Sequence, residues 1–248
     1  MPKKVVIVGG HGNVSLRLAR LLAGAGHSVT SIIRTPAHEA DIRAASSAGT
    51  VTPLILSLEA SPAADFAAAF RRADAVYFSA GAGGQGGEER TKAVDYEGAL
   101  KVFDALELVE EPRPRLILVS AIDVRDPEKV PAHYNEDDIA LSQRMRAHIA
   151  VYMKWKYEAD KNLAARTAFR WTILRPGGLT SEPGTGTAAV GRTHMAPQIS
   201  RDDVATALAC LLDRDDAAGL AIDIVGGDTP IADGLDAAIK RGETDFLG

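Results

Sequence analysis

Val5-Val6-Ile7-Val8 runs directly into Gly9-Gly10-His11-Gly12-Asn13-Val14-Ser15. A short unbroken apolar run, a glycine-rich turn and then apolar residues at helical spacing read as strand, loop and helix. Gly9 is free to take a positive φ in the tight turn, and Gly12 has no Cβ to obstruct a pyrophosphate. The helix that follows points its free N–H groups and the positive end of its dipole at such an anion. Gly9, Gly10, His11, Gly12, Asn13 and Val14 are therefore candidate contacts to a dinucleotide. The third small position, usually Gly, is Ser15, which is still small enough for close helix–strand packing. A βα turn with glycines and no ligand has the same local pattern. The strand before it and the helix after it favour the cofactor.

The rest of the chain repeats the alternation. Leu16, Leu18, Ala19, Leu21 and Leu22 recur at helical spacing, and Gly24 and Gly26 end that helix. Strands are expected at 29–33, 51–56, 75–78, 115–119, 171–174 and 221–225. Helices are expected at 41–48, 63–72, 90–110, 141–165, 202–212 and 231–239. This order predicts an α/β fold, a doubly wound parallel sheet with helices on both faces. The strands lack polar alternation, as parallel strands covered on both sides do. Ligands of such sheets lie beyond the carboxyl ends of the strands, where the strand order reverses. Segments 123–138 and 180–199 are turn-rich or loop-like. They are expected to form a small lid or C-terminal substrate lobe on one domain spanning 1–248.

Composition excludes several classes. The net charge is −5 with no basic stripe, and aromatic residues are only 5%, which argues against a nucleic-acid partner. Cys210 is the single cysteine and the six histidines are scattered, so neither a disulfide framework nor a metal site is expected. The apolar run at the start is too short for a signal-peptide core, and no segment approaches a membrane span. Cytoplasm is the expected location, with a monomer and a homodimer both open.

The end of the second strand meets the adenine ribose, where an acidic residue would hold the 2′-hydroxyl of NAD. Here the position is Arg34, whose guanidinium suits a 2′-phosphate, with His38 close by. NADP is the expected cofactor, although an Arg at a strand end is also a common solvated residue. Tyr152 and Lys156 stand four apart on a helix and share a face. An ammonium beside a phenol lowers its pKa and fits it for proton transfer in carbonyl–alcohol chemistry. A packed Tyr with a snorkelling Lys has the same spacing. Ser120, at the end of the fifth strand, is a candidate to bond a substrate carbonyl or simply a strand-end cap. Asp95 lies on the helix after the fourth strand, with a solvated carboxylate as the alternative.

With these residues assembled, the chain resembles the atypical short-chain dehydrogenase/reductases, close to the NmrA-like and epimerase/dehydratase-like groups. The marks are Gly9-Gly10-His11-Gly12, Arg34, Ser79-Ala80-Gly81-Ala82-Gly83-Gly84, Val119-Ser120, Tyr152 to Asp160, Leu174-Arg175-Pro176-Gly177 and Ile199 to Ala205. The resemblance covers nearly the whole chain and implies a Rossmann fold binding NADP. It places Asp95 where longer relatives have an active-site Asn. It places the loop Gly83 to Gly87 beside the nicotinamide ribose, and Ser79, Ala80, Gly81, Lys156, Pro176 and Gly177 among the cofactor contacts. The chain departs from the pattern at Ser15, at Ala121 after Ser120, and at Ser57-Leu58-Glu59, where an adenine-contacting Asp is usual and Leu58 is the remaining candidate. The expected activity is NADP(H)-dependent oxidoreductase or epimerase-like chemistry on a small carbonyl or alcohol. Tyr152, Lys156, Ser120 and Asp95 are the catalytic candidates. The competing expectation is an NADP(H)-binding sensor of the NmrA type without turnover.

Overall fold

In the computed structural model, residues 1–46, 49–83 and 86–244 are described. β1 (Lys4–Val8) lies between β2 (Ser28–Ile33) and β4 (Ala75–Phe78), with β3 (Val51–Ile55) outside β2. Beyond β4 come β5 (Arg115–Val119), β6 (Trp171–Pro176), β10 (Ala221–Pro230) and β8 (Thr187–Gly191). The order β3-β2-β1-β4-β5-β6 is the Rossmann arrangement, and it reverses between β1 and β4. All pairings from β3 to β10 are parallel, as the sequence predicts.

Alternate residues of the central strands feed two cores. Val5 and Ile7 face α1 (Asn13–Gly24), α7 (Arg201–Leu211) and α8 (Ile231–Arg241), meeting Leu18, Val204 and Leu235. Val6 and Val8 face α3 (Ala63–Phe70), α5 (Gly98–Glu107) and α6 (Glu136–Ala164), meeting Phe66, Phe103 and Leu163. Each such side chain contributes about 1.5–3 kcal/mol on full burial, so β1 is firmly anchored on both faces of the sheet. Anchoring β1 from both faces fixes the turn that leaves its carboxyl end.

Several elements differ from expectation. The helix expected at 90–110 is three pieces: α4 (Gly87–Thr91), a π-helical turn Lys92–Glu97, and α5. The wider turn buries Asp95, and such turns recur at functional sites. The helix expected at 41–48 is shorter, α2 (Glu39–Arg43), and residues 47 and 48 lie outside the described residues. Gly84 and Gln85 of the glycine-rich loop also lie outside them. Segment 180–199 is not loop alone, because β8 pairs antiparallel with β10 at the sheet edge. Short β7 (Leu179–Thr180) and β9 (Ile199–Ser200) pair with each other beside it.

α6 starts earlier than expected, at Glu136, because Asn135 and Asp138 cap it reciprocally. Its backbone breaks at Ile149 (φ −127°, ψ 34°), three residues before Tyr152. Asp138 also accepts from Met195 N (2.8 Å) and bonds His194 (2.6 Å), tying segment 123–138 to segment 193–195. Ile122, Tyr134, Met195 and Val225 form a third, small core under this lobe. No helix among the described residues is long and apolar enough to cross a membrane.

Candidate functional site

The turn after β1 is shaped by backbone constraints. Gly9 has φ +84°, and a Cβ there would lie 2.6 Å from Ala80 Cα. A Cβ on Gly10 would lie 2.6 Å from Ser31 Cβ. Gly12 N donates to Gly9 O at 3.0 Å and closes the turn. α1 then begins with neither a side-chain cap nor an acidic residue in its first turn. Its leading amides have no intrahelical acceptor and are open to an anion. Ser15, in the third small position, is fully buried, as close packing requires.

This turn forms one wall of a cleft at the β1/β4 reversal. Gly9, Gly10, His11, Gly12, Arg34, Leu58, Ser79, Ala80 and Gly81 all line it, as the sequence predicts. Five expected contacts do not, among them Lys156, whose amine is turned to Val119 O. Asn13 sits exposed at the helix start, and Val14 packs into the core. Pro176 and Gly177 are buried at the end of β6, where Pro176 O accepts from Ile122 N (2.9 Å) and Gly177 packs on Val225. His38, Glu59, Arg90 and Val94 line the cleft as well. His38 stacks on His11 with ring centroids 3.6 Å apart, and His11 Nε2 meets Asp41 at 2.8 Å. Arg34 lies 3.8 Å from Glu59 and is half exposed.

A second group begins where the cleft ends, at Gly81 and Ala82. Asp95 Oδ2 accepts from Ala82 N (2.9 Å), and a Cβ on Gly81 would meet Asp95 Oδ1 at 3.0 Å. Ser120 Oγ donates to Asp160 Oδ2 at 2.5 Å. Lys156 Nζ donates to Val119 O at 2.8 Å. None of Asp95, Ser120, Tyr152 and Lys156 lines the cleft itself. Burial pushes the Asp160 carboxyl up to about 6, against the opposing pull of the Lys156 charge and the Ser120 hydrogen bond. Burial likewise raises the Asp95 carboxyl, with Lys156 opposing.

The expectation that Lys156 lowers the Tyr152 phenol is overturned. Burial, and then the carboxylates of Asp95 and Asp160, push that phenol above its ordinary value. The Lys156 ammonium turns instead to the end of β5. The Ser120 hydroxyl gives its proton to Asp160 beneath the surface. Asp160 continues the Tyr152–Lys156 stripe by one more helical turn. That spacing was visible in the sequence, but nothing marked the residue as buried. Arg90 was equally unmarked, because its neighbours in the cleft lie far away in the chain.

A parallel sheet with a glycine turn and an uncapped helix at its reversal point defines a dinucleotide-binding protein of the Rossmann type. The profile of the NAD(P)H-binding family matches residues 9–215. A UPF0659 protein of Schizosaccharomyces pombe is 39% identical over 97% of each chain. "Uncharacterized sugar epimerase YhfK" of Bacillus subtilis is 36% identical, over 94% of this chain and 98% of its own. A solved "Putative NAD-dependent epimerase/dehydratase" of Bacillus halodurans superposes with a TM-score of 0.78 at 30% identity, over 95% of this chain and 99% of that one. The chain belongs to the NAD(P)H-binding family, and two of these relatives carry epimerase-type names. Its residues fit such a cofactor. The glycine cradle is open, the α1 amides have no side-chain cap, and Arg90, which lines the same cleft, has a buried Nε without a hydrogen-bond partner.

Proposed function

We propose that this protein binds NADP(H) and reduces a small carbonyl compound to the alcohol. The observation that carries the reading is the arrangement of Tyr152, Lys156 and Asp95 where the cleft ends, at Gly81 and Ala82. Bound in the cleft, NADPH supplies a hydride. Tyr152 gives its proton to the substrate oxygen, and its raised pKa keeps it protonated at neutral pH, the form a donor needs. Lys156 holds positive charge between Asp95 and Asp160 and steadies the end of β5 through Val119 O. Arg34, in the place of the usual acid, takes the 2′-phosphate and selects NADP(H) over NAD(H). The lobe of 123–138 and 193–195 covers the substrate side. The relatives named as epimerases make a sugar or a sugar-like hydroxyketone a reasonable first substrate class.

One observation favours a second reading, an NADP(H)-binding sensor without turnover. Ser120 is committed to Asp160 and does not offer its proton to a substrate. Calorimetric titration with NADP⁺, NADPH, NAD⁺ and NADH, followed by a carbonyl screen monitored at the NADPH absorbance, separates the readings. Preference for the phosphorylated pair with consumption of NADPH is expected. Tight binding with no turnover on any carbonyl supports the sensor, and binding of none of the four removes both.

A further inference from the structure

We propose that Arg90 is a phosphate ligand, closing the cleft over the dinucleotide; this rests on the nucleotide-binding reading above. Arg90 stands on α4, one turn before Val94, and both line the cleft with Leu58 and Gly81. Its Nε is buried and has no hydrogen-bond partner. Its guanidinium makes no ion pair or hydrogen bond among the described residues, although Glu88 and Glu89 adjoin it in sequence. The Glu88 carboxylate lies instead 4.0 Å from Lys154. A buried guanidinium nitrogen without an acceptor is unfavourable unless a ligand completes it.

The backbone holds this side chain in place. Gly86 has φ +85°, and a Cβ there would fall 2.5 Å from Arg90 Cδ and 3.2 Å from Arg90 Cβ. The aliphatic stem of Arg90 therefore lies against bare backbone that only glycine provides. The acid in the cleft wall, Glu59, is already placed toward Arg34. A ligand phosphate would supply the missing acceptor, and the glycine turn and uncapped α1 prepare the same cleft for phosphate. A planar guanidinium meets phosphate oxygens through paired N–H groups, which an ammonium cannot do as well. The phosphate is either the pyrophosphate bridge or the 2′-phosphate of the adenosine.

The test is calorimetric binding of NADP⁺, NAD⁺, ADP, 2′-AMP and adenosine to wild type, Arg90→Gln and Arg90→Lys, with melting temperatures as a folding control. Arg90→Gln is expected to weaken phosphate-bearing probes about tenfold or more, to leave adenosine unchanged, and to flatten the salt dependence. Arg90→Lys is expected to recover part of the loss. Equal loss on NAD⁺, NADP⁺ and ADP assigns the pyrophosphate. Loss confined to NADP⁺ and 2′-AMP assigns the 2′-phosphate. Wild-type affinity in Arg90→Gln, or an equal loss on adenosine, overturns the assignment while leaving the functional reading intact. Failure of the wild type to bind any probe overturns both.

Discussion

Ser120 Oγ donates to Asp160 Oδ2 at 2.5 Å, and both residues are buried. One residue earlier, Val119 O accepts from Lys156 Nζ. Two adjacent residues at the end of β5 are thus strapped to two successive turns of α6. The straps fix the height, relative to β5, of the helical stripe that carries Tyr152 a further turn back. Ser120 and Asp160 in this account position the helix and do not touch the reacting atoms.

That buried carboxyl gives the fold a pH signature. Asp160 holds its proton up to about 6, above the free value of 3.8. A carboxyl that binds its proton more tightly folded than unfolded stabilises the fold below the unfolded value, and that contribution is lost as pH rises through the folded value. The melting temperature of wild type relative to Asp160→Asn is therefore expected to rise as pH is lowered from 7 to 4. Calorimetric scans of both proteins across that range measure it. A constant offset would remove Asp160 from the titration.

Tyr152→Phe removes the proton donor and little packing volume. Carbonyl reduction is expected to fall by about a hundredfold or more, while the NADPH dissociation constant changes less than about twofold. In wild type the raised phenol pKa predicts no loss of reduction rate from Tyr152 ionisation between pH 7 and 9. Steady-state rates and fluorescence titration, run side by side, check both statements. Retained turnover in the variant would assign the proton elsewhere.

Arg34 and Glu59 compete for the same small volume, since the guanidinium lies 3.8 Å from the carboxylate. Arg34→Ala is expected to weaken NADP⁺ by roughly ten- to a hundredfold and to leave NAD⁺ nearly unchanged. Glu59→Gln is expected to strengthen NADP⁺ modestly by freeing the guanidinium. Equal effects on both nucleotides would show that Arg34 serves some other part of the ligand.

Gly9 is constrained twice, by its positive φ and by Ala80. Gly9→Ala is expected to cost more than about 1 kcal/mol of stability and to weaken every dinucleotide alike. Chemical denaturation and the titration above read the two effects. Full stability in the variant would mean that β1 and β4 have room to separate.

Gly9 was legible in the sequence because only glycine tolerates that conformation, so one residue type reports the local backbone. The parallel α/β sheet was legible because its apolar runs lack polar alternation, whereas the strand order came only with the structure. β8 was not legible, since Thr187-Ala-Ala-Val-Gly191 is short and small, and it becomes a strand only because β10 offers it an edge. The Tyr152–Lys156 spacing could be read, but not the direction of the Lys156 amine, which the carbonyl of a distant strand decides. Arg90 had no local mark, for its meaning depends on Leu58 and Gly81 closing the other sides of the cleft.

The break at Ile149 has a mechanical consequence. Ahead of it, α6 is bonded to Asp123 through Ser142 and Arg146 and to His194 through Asp138. Behind it, the same helix is bonded to β5 through Lys156 and Asp160. A single continuous rod would transmit every change at one end to the other. With the rod interrupted, a shift of the front half against the lobe is decoupled from the rear half that is strapped to β5.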